Sequence, residues 1–569
     1  MLRVSKARGR PARLTLFAAI ALLVWFYYDP FSPSASRRPG AGGRAVFVKS
    51  SYDWGLHKQK YPLSEFARVP KGRPANLPQV QYSFPPNAYD PQPDIEVRRS
   101  AVRDAFHRCW LSYKEHAWGM DELTPVTLHG KNTFGGWAAT LVDSLDTLLI
   151  MGFWDEFETA VSVVARLDWA DTTETSVNVF ETTIRHLGGL LSAYDLSGER
   201  VLLLKAIELG DMLYAAFDTP NRLPPFWLNF EKARAGTQEA GTNDASASPC
   251  SLSLEFARLS QLTGDPKYYD AIDRVMKFLA RSQDNTTMPG MWPTLLDFRD
   301  ERADKGDAFT LGALADSLYE YLPKMTALLG GLEPSYETMY RRAMETAEAN
   351  LLFRPMVPDG ADILFAGDAK VARGGTVRLI PDGQHLGCFA GGMFGLGGKL
   401  FGIGEHVRIG ERLARGCAWA YEAFPSGVMP EIFGMVPCAT RDGCEWDEDR
   451  WRSSAAASGA MLPLGFTHAR DARYILRPEA AESLFLLWRM TGKEEFREAA
   501  WRMFQAVMRA TKTETANSAI SNVNVPAGST DKLDQMEVGS ILFLPLPLPS
   551  MFIPDRTNEL LHLPMVSTC

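Results

Sequence analysis

The sequence predicts an all-α protein in which helical hairpins surround one large core. Three observations carry that prediction. An apolar-periodic segment, a glycine, a short polar turn and a second amphipathic segment recur six times beyond Ile95. Strand signals are few and scattered. The 569-residue chain is 46% hydrophobic and 22% charged, ample for a large core.

The hairpin glycines are Gly152 (I-M-G-F-W-D-E-F), Gly198 (D-L-S-G-E-R-V-L), Gly264 (L-T-G-D-P-K-Y-Y), Gly330, Gly404 and Gly492 (M-T-G-K-E-E-F). Glycine accepts the left-handed conformation that ends a helix, and Asp265-Pro266 reads as an N-cap followed by a first-turn proline. The spacing is too irregular for a solenoid of fixed period, so one core shared by the hairpins is expected. A row of independent helical domains is the competing arrangement.

Ahead of the hairpins the chain changes character. Residues 1–13 carry Arg3, Lys6, Arg8, Arg10 and Arg13 and read as a cytoplasmic tail. Residues 14–28 are apolar apart from Thr15 and end in Trp25, Tyr27 and Tyr28, an interfacial edge. The run is shorter than the ~20 residues of an average spanning helix, which suits a thin early-secretory membrane. No small-x-small cleavage site follows, so the reading is an uncleaved signal anchor of a single-pass type II protein, with a cleaved signal peptide as the alternative. Residues 29–95, rich in Pro, Ser, Gly and Arg, read as a stem. Residues 96–569 are then the lumenal domain, and Asn285 in N-T-T is its glycosylation sequon.

Several function classes are excluded early. The net charge of -8 does not indicate a nucleic-acid-binding surface. The seven cysteines contain no C-x-x-C, no H-E-x-x-H is present, and the glycines after His385 fit neither a phosphate loop nor a dinucleotide fingerprint.

What stands out is acidic side chains set among apolar helical residues. The segment V-F-E-T-T-I-R-H-L-G-G-L-L-S-A has an apolar stripe of Phe180, Ile184, Leu187 and Leu191, beside which Glu181 and Arg185 are i,i+4 partners. A surface ion pair is the commoner outcome for such a pair. Asp316 lies in L-G-A-L-A-D-S-L-Y-E-Y-L, and Asp143 and Asp146 in L-V-D-S-L-D-T-L-L-I-M-G. Glu431 follows a proline in S-G-V-M-P-E-I-F, and His385 sits in G-Q-H-L-G-C-F. In R-P-E-A-A-E-S, Pro478 suits the first helical position, and Glu479 and Glu482 favour the positive end of the helix dipole. Acids near the ends of several helices could converge at one mouth of a helical barrel, an arrangement suited to glycoside hydrolysis.

At these residues the sequence resembles the class I α-1,2-mannosidases of glycoside hydrolase family 47. Collinear segments carry the resemblance from about Ala105 to Glu537: A-W-G-M-D-E-L-T-P, G-W-A-A-T-L-V-D-S-L-D-T-L-L-I-M-G, V-F-E-T-T-I-R, L-S-L-E-F-A-R-L-S-Q-L-T-G, A-D-S-L-Y-E-Y-L, H-L-G-C-F, G-V-M-P-E-I and I-L-R-P-E-A-A-E-S-L-F. The resemblance implies an (α/α)7 barrel and an inverting hydrolase that removes α-1,2-linked mannose from high-mannose N-glycans using Ca²⁺, in the ER or Golgi membrane. By position, Glu181 would be the general acid, acting through a water, and Glu479 the general base. Asp316 would be the third catalytic carboxylate and Glu431 the fourth pocket acid. Arg185, Glu255, His385, Arg477, Glu482 and Glu537 match sugar-contacting or pocket-lining positions. Cys388 and Cys417 match the family's disulfide, and Cys438 with Cys444 is a candidate second bridge. A glycan-recognising degradation factor and an inactive paralogue are the competing readings.

Two departures qualify the match. After Met536-Glu537 the family continues with a long helix and ends in N-T-E-A-H-P, whose threonine is its direct calcium ligand. Residues 538–569 contain L-P-L-P-L-P instead, and its prolines cannot sit inside a regular helix. The last barrel helix and the metal ligand are therefore unassigned, and Thr557 in T-N-E is not the motif. A misread gene model and an isoform lacking the metal are the two explanations. The second departure is Leu314, two residues before Asp316, where members restricted to one mannose carry Arg. In this it resembles the broader Golgi-type enzymes.

Overall fold

The computed structural model describes residues 45–85, 92–456 and 461–537. The predicted tail and anchor, and the departing segment 538–569, lie outside the described residues. Among the described residues no helix is long and apolar enough to cross a membrane.

The hairpin-building helices are α1 (Pro93–His116), α2 (Ala139–Asp143), α3 (Leu145–Ile150), α4 (Trp154–Val164), α5 (Gly188–Ser197), α6 (Arg200–Tyr214) and α7 (Ser253–Thr263). They continue with α8 (Pro266–Ser282), α9 (Asp316–Leu328), α10 (Ser335–Asn350), α11 (Ala390–Leu400), α12 (Gly404–Ala423), α13 (Glu479–Thr491) and α14 (Glu494–Thr511). Among the described residues these form six hairpins, as the glycine pattern predicts. Gly152, Gly198, Gly264, Gly330 and Gly492 all have positive φ, and the Asp265 carboxylate caps α8 at the amide of Lys267. The fifth turn is the exception: Gly402 takes the left-handed conformation, and Gly404 is already the first residue of α12.

The first helix of each hairpin packs against the first helix of the next. α2 and α3 meet α5, which meets α7, then α9, α11 and α13. This is an all-α barrel with an inner and an outer layer, and one continuous apolar cluster fills it. Backbones approach closely between α11 and α12, where a Cβ on Gly410 would lie 2.6 Å from the Gly391 carbonyl. α1 belongs to the outer side and bridges the first and last hairpins. Arg98 reaches Glu498 of α14 at 2.6 Å, while Trp110 and Lys114 reach Glu156 of α4 at 3.0 and 2.7 Å.

The predicted stem is corrected over residues 45–85, while its residues 29–44 and 86–91 lie outside the described residues. Residues 45–85 lie along the body and belong to the same unit as everything after Ala45. Their amides bond to Ala165 O from Val48, to the Asp218 carboxylate from Lys60 and Tyr61, to Asp270 from Ala67, to Gly330 O from Ala75 and to Arg489 O from Tyr82. Prolines and glycines remove helical periodicity, so the segment looks like a linker; a strap needs only free amides and a few anchors such as Trp54 and Phe84.

Short strands support the loops at the inner-helix N-termini. One three-stranded sheet orders Asp382–Gln384, Ile432–Met435 and Phe466–Asp471. It sets His385 and Glu431 side by side, with the His385 amide bonded to Glu431 O at 2.9 Å.

Both predicted disulfides are formed, Cys388–Cys417 and Cys438–Cys444. The first encloses 29 residues in sequence, the second 6. Opening Cys388–Cys417 with paired serines is expected to cost about 3–4 kcal/mol, against about 2 for the shorter bridge. Chemical denaturation of both variants checks the order, and equal losses would refute it.

Candidate active site

Glu181 is placed by a ribbon. The strand Ser176–Asn178 pairs with Trp227–Asn229 and runs into the turn Val179–Glu181, where the Asn178 side chain accepts from the Glu181 amide at 3.0 Å. The next turn, Thr182–Leu187, is π-helical before α5 resumes. Such bulges interrupt a helix and occur often at functional sites. Ile184, Leu187 and Leu191 are buried as the stripe predicts, and Phe180 is half-buried.

Arg185 is buried, so the surface reading of its ion pair is ruled out. Its Nε donates to Glu181 Oε2 at 2.8 Å and its Nη2 to Glu537 Oε1 at 3.2 Å. The guanidinium stacks over Phe134, 4.8 Å from the ring centre. Sequence alone did not indicate this aromatic support.

Across the mouth, α13 begins at Glu479, with Pro478 as its N-cap rather than its first residue. Leu476 takes a left-handed φ of 65°, which lets the chain turn between Tyr474 and the helix. Arg477 Nε donates to Glu431 Oε2 at 2.7 Å, and the Ile475 amide donates to Glu431 Oε1 at 3.0 Å. Glu479 Oε2 lies 3.0 Å from His385 Nδ1, and His385 Nε2 lies 2.7 Å from the Tyr421 hydroxyl. Burial lowers the His385 pKa to about 4, so the ring is neutral at physiological pH. The network then has Nδ1–H donate to Glu479 while Nε2 accepts from Tyr421.

Glu479 and Asp316 share a low-dielectric environment. Burial pushes Glu479 up to about 7, opposed by the Arg477 charge and reinforced by Glu537 and Glu320. Asp316 is likewise raised to about 7, first by desolvation and then by the charges of Glu320 and Glu479. Asp316 opens α9; the residues from Leu311 expected in that helix form a turn, with Leu314 at φ 77°. Non-glycine residues in this conformation, here Leu314 and Leu476, concentrate at functional sites. Glu537 joins the two halves of the mouth: it touches Arg185, and its charge acts on Arg477 and Glu479.

Glu255 on α7 is buried, accepts from the Tyr321 hydroxyl at 3.0 Å and is raised to about 8 by burial. Glu482 is half-buried, one turn beyond Glu479. All ten predicted site residues are thus on inner-helix starts or the loops joining them. The pair Glu320–Lys324, 2.5 Å apart one turn below Asp316, escaped the sequence reading. Its only signal was the i,i+4 spacing from Asp316. Asp143 is also buried against this region, and its pKa is pushed well above the carboxylate range by burial. Asn285 is exposed, as a sequon requires.

The oxygen donors of this mouth are chemically suited to a hard cation such as Ca²⁺. Among the described residues, however, no three of His, Cys, Asp or Glu stand close enough together to hold one. The described carboxylates are therefore not a sufficient coordination shell.

Comparison with known proteins agrees with this geometry. The profile of glycosyl hydrolase family 47 matches residues 105–539. The chain is 34% identical over 531 residues to mannosyl-oligosaccharide 1,2-alpha-mannosidase MNS1 of Arabidopsis thaliana, covering 91% of this chain and 84% of that one. It is 33% identical over 488 residues to the mannosyl-oligosaccharide alpha-1,2-mannosidase of Coccidioides posadasii, covering 82% and 87%. The solved alpha-1,2-mannosidase from Trichoderma reesei superposes with a TM-score of 0.72 at 29% identity, covering 81% of this chain and 94% of that one. An all-α barrel whose inner-helix starts gather paired acids and arginines, matched over most of its length by these relatives, belongs to glycosyl hydrolase family 47.

Proposed function

We propose that this glycoside hydrolase removes terminal α-1,2-linked mannose from high-mannose N-glycans, with inversion at the anomeric carbon. The observation that carries the reading is Glu479 buried between His385 and Arg477, with its pKa near 7, across the mouth from the Glu181–Arg185 pair. A base poised near the working pH abstracts a proton from water efficiently.

Glu479 takes the proton of the attacking water, and His385 and Arg477 hold its carboxylate in place. Glu181, kept in position by Arg185 and by its Asn178-capped turn, delivers the proton to the leaving oxygen through a water. Asp316 supplies further negative charge for the oxocarbenium-like transition state, and Glu431 anchors Arg477. Arg185, Glu255, His385, Arg477, Glu482 and Glu537 line the sugar pocket. Calcium, when bound, would supply positive charge to sugar hydroxyls. We place the protein in the secretory pathway, as a type II protein of the ER or Golgi membrane anchored by residues 14–28.

The test is mannose release from a high-mannose oligosaccharide, with the anomer observed by proton NMR. The first-formed sugar is expected to be β-mannose. Glu181→Gln is expected to lower kcat/KM by about 10²–10⁴-fold. Release of α-mannose would overturn the inverting assignment. Full activity of Glu181→Gln would overturn the role of that residue.

A further inference from the structure

We propose that Trp227 forms an outer saccharide platform beside the catalytic mouth, binding the part of the oligosaccharide beyond the mannose being cleaved. The inference rests on the mannosidase reading above and adds a site to it.

Trp227 is 51% exposed, although Leu228 beside it is fully buried. Alternation along the strand explains both. Val177 and Leu228 form the buried cross-strand pair, so the neighbouring pair, Asn178 and Trp227, projects from the opposite face of the ribbon. Asn178 is the residue whose side chain caps the Glu181 amide. The indole therefore shares a ribbon face with the cap of the predicted general acid. The link is direct on the other side too, because the Val179 amide donates to Phe226 O at 3.1 Å. Phe226 meets Trp227 edge-on, with centroids 5.4 Å apart, which fixes the indole while leaving much of it open.

The apolar rim extends beyond this residue. The Phe226 backbone lies close enough to Asp244 to act on its carboxyl, and Asp244–Ala245 pairs with Leu295–Leu296. Leu295 is 36% exposed and Leu296 is buried, the same alternation again. Ala247 N in turn bonds to Leu314 O at 2.9 Å, and Leu314 is itself 51% exposed two residues before Asp316. Three exposed apolar side chains thus sit on consecutive, hydrogen-bonded loops running from Glu181 to Asp316. A pyranose presents C–H groups on one face and hydroxyls at its edge. A rigid aromatic face flanked by aliphatic groups accepts the first while water and neighbouring polar groups accept the second. Continuity of these loops with Glu181 and Asp316 selects the rest of the same glycan as the occupant.

The experiment compares the purified full chain with Trp227→Ala and Trp227→Phe on two substrates, a free nine-mannose oligosaccharide and methyl α-1,2-mannobioside. Trp227→Ala should raise KM for the oligosaccharide about fivefold with kcat unchanged, leave the disaccharide within about twofold, and be largely rescued by phenylalanine. Equal losses on both substrates, or none on either, would overturn the platform. So would a loss seen only on intact glycoproteins, which would point to polypeptide docking. Binding of the oligosaccharide is measured in parallel by saturation-transfer NMR. Binding that depends on Trp227 in a chain that cleaves nothing would sink the hydrolase reading and keep the platform. Absence of binding in the unaltered protein would sink the platform.

Discussion

Glu479→Gln is expected to reduce mannose release by about 10²–10⁴-fold while making the folded protein more resistant to denaturation at pH 8. The two effects share one cause. Burial raises Glu479 to about 7, from an ordinary glutamate value near 4.5. The fold therefore prefers the protonated form. That preference is harmless below pH 4.5, where both folded and unfolded chains are protonated. It becomes a penalty that grows from pH 4.5, where the unfolded chain ionises, and is complete above pH 7, where the folded state holds a desolvated charge. For a shift of this size the penalty above pH 7 is on the order of 3–4 kcal/mol, and glutamine removes it.

The same pair governs the acid limb of activity. Both carboxyls are raised to about 7, and the Glu479 charge helps raise Asp316, so kcat/KM should fall as pH drops below about 7. The measurements are a pH–rate profile and urea titrations at pH 5 and pH 8. Retention of more than a tenth of the activity by Glu479→Gln would remove Glu479 from the chemistry. A variant no more stable than the unaltered chain at pH 8 would show that the carboxylate is not held against its preference.

Removal of residues 1–91 is expected to lower the melting temperature by roughly 5 °C or more. Asp218 and Asp270 are buried and accept amides of the strap at 2.7–2.8 Å. Lys205, wholly buried, donates to Val48 O. Without the strap each of these groups loses a partner, at about 1–3 kcal/mol apiece when water cannot fully replace it. Trp54 and Phe84 would also be lost from their contacts with Phe230 and Trp488. Scanning calorimetry of the truncated and full chains decides the point. Melting temperatures within a degree would show that the strap is only draped on the barrel.

The six hairpins, and the motifs that hold the ten candidate site residues, are legible because each leaves a short-range trace. Turn glycines with positive φ punctuate the amphipathic pairs, and the motifs around Glu181, Glu431 and Glu479 are contiguous stretches that carry the family resemblance. Other features depend on groups far apart in the chain. Whether Glu181–Arg185 is a surface ion pair or a buried one is decided by Phe134 and Glu537, which no helical period reveals. The role of the proline-rich segment before α1 depends on carboxylates of α6 and α8 that await its amides. The shared elevation of Asp316 and Glu479 arises only when α9 and α13 start at the same mouth. Helices and turns were thus determined locally by the sequence, whereas burial, and with it charge state, strap and platform, was decided by packing between distant segments.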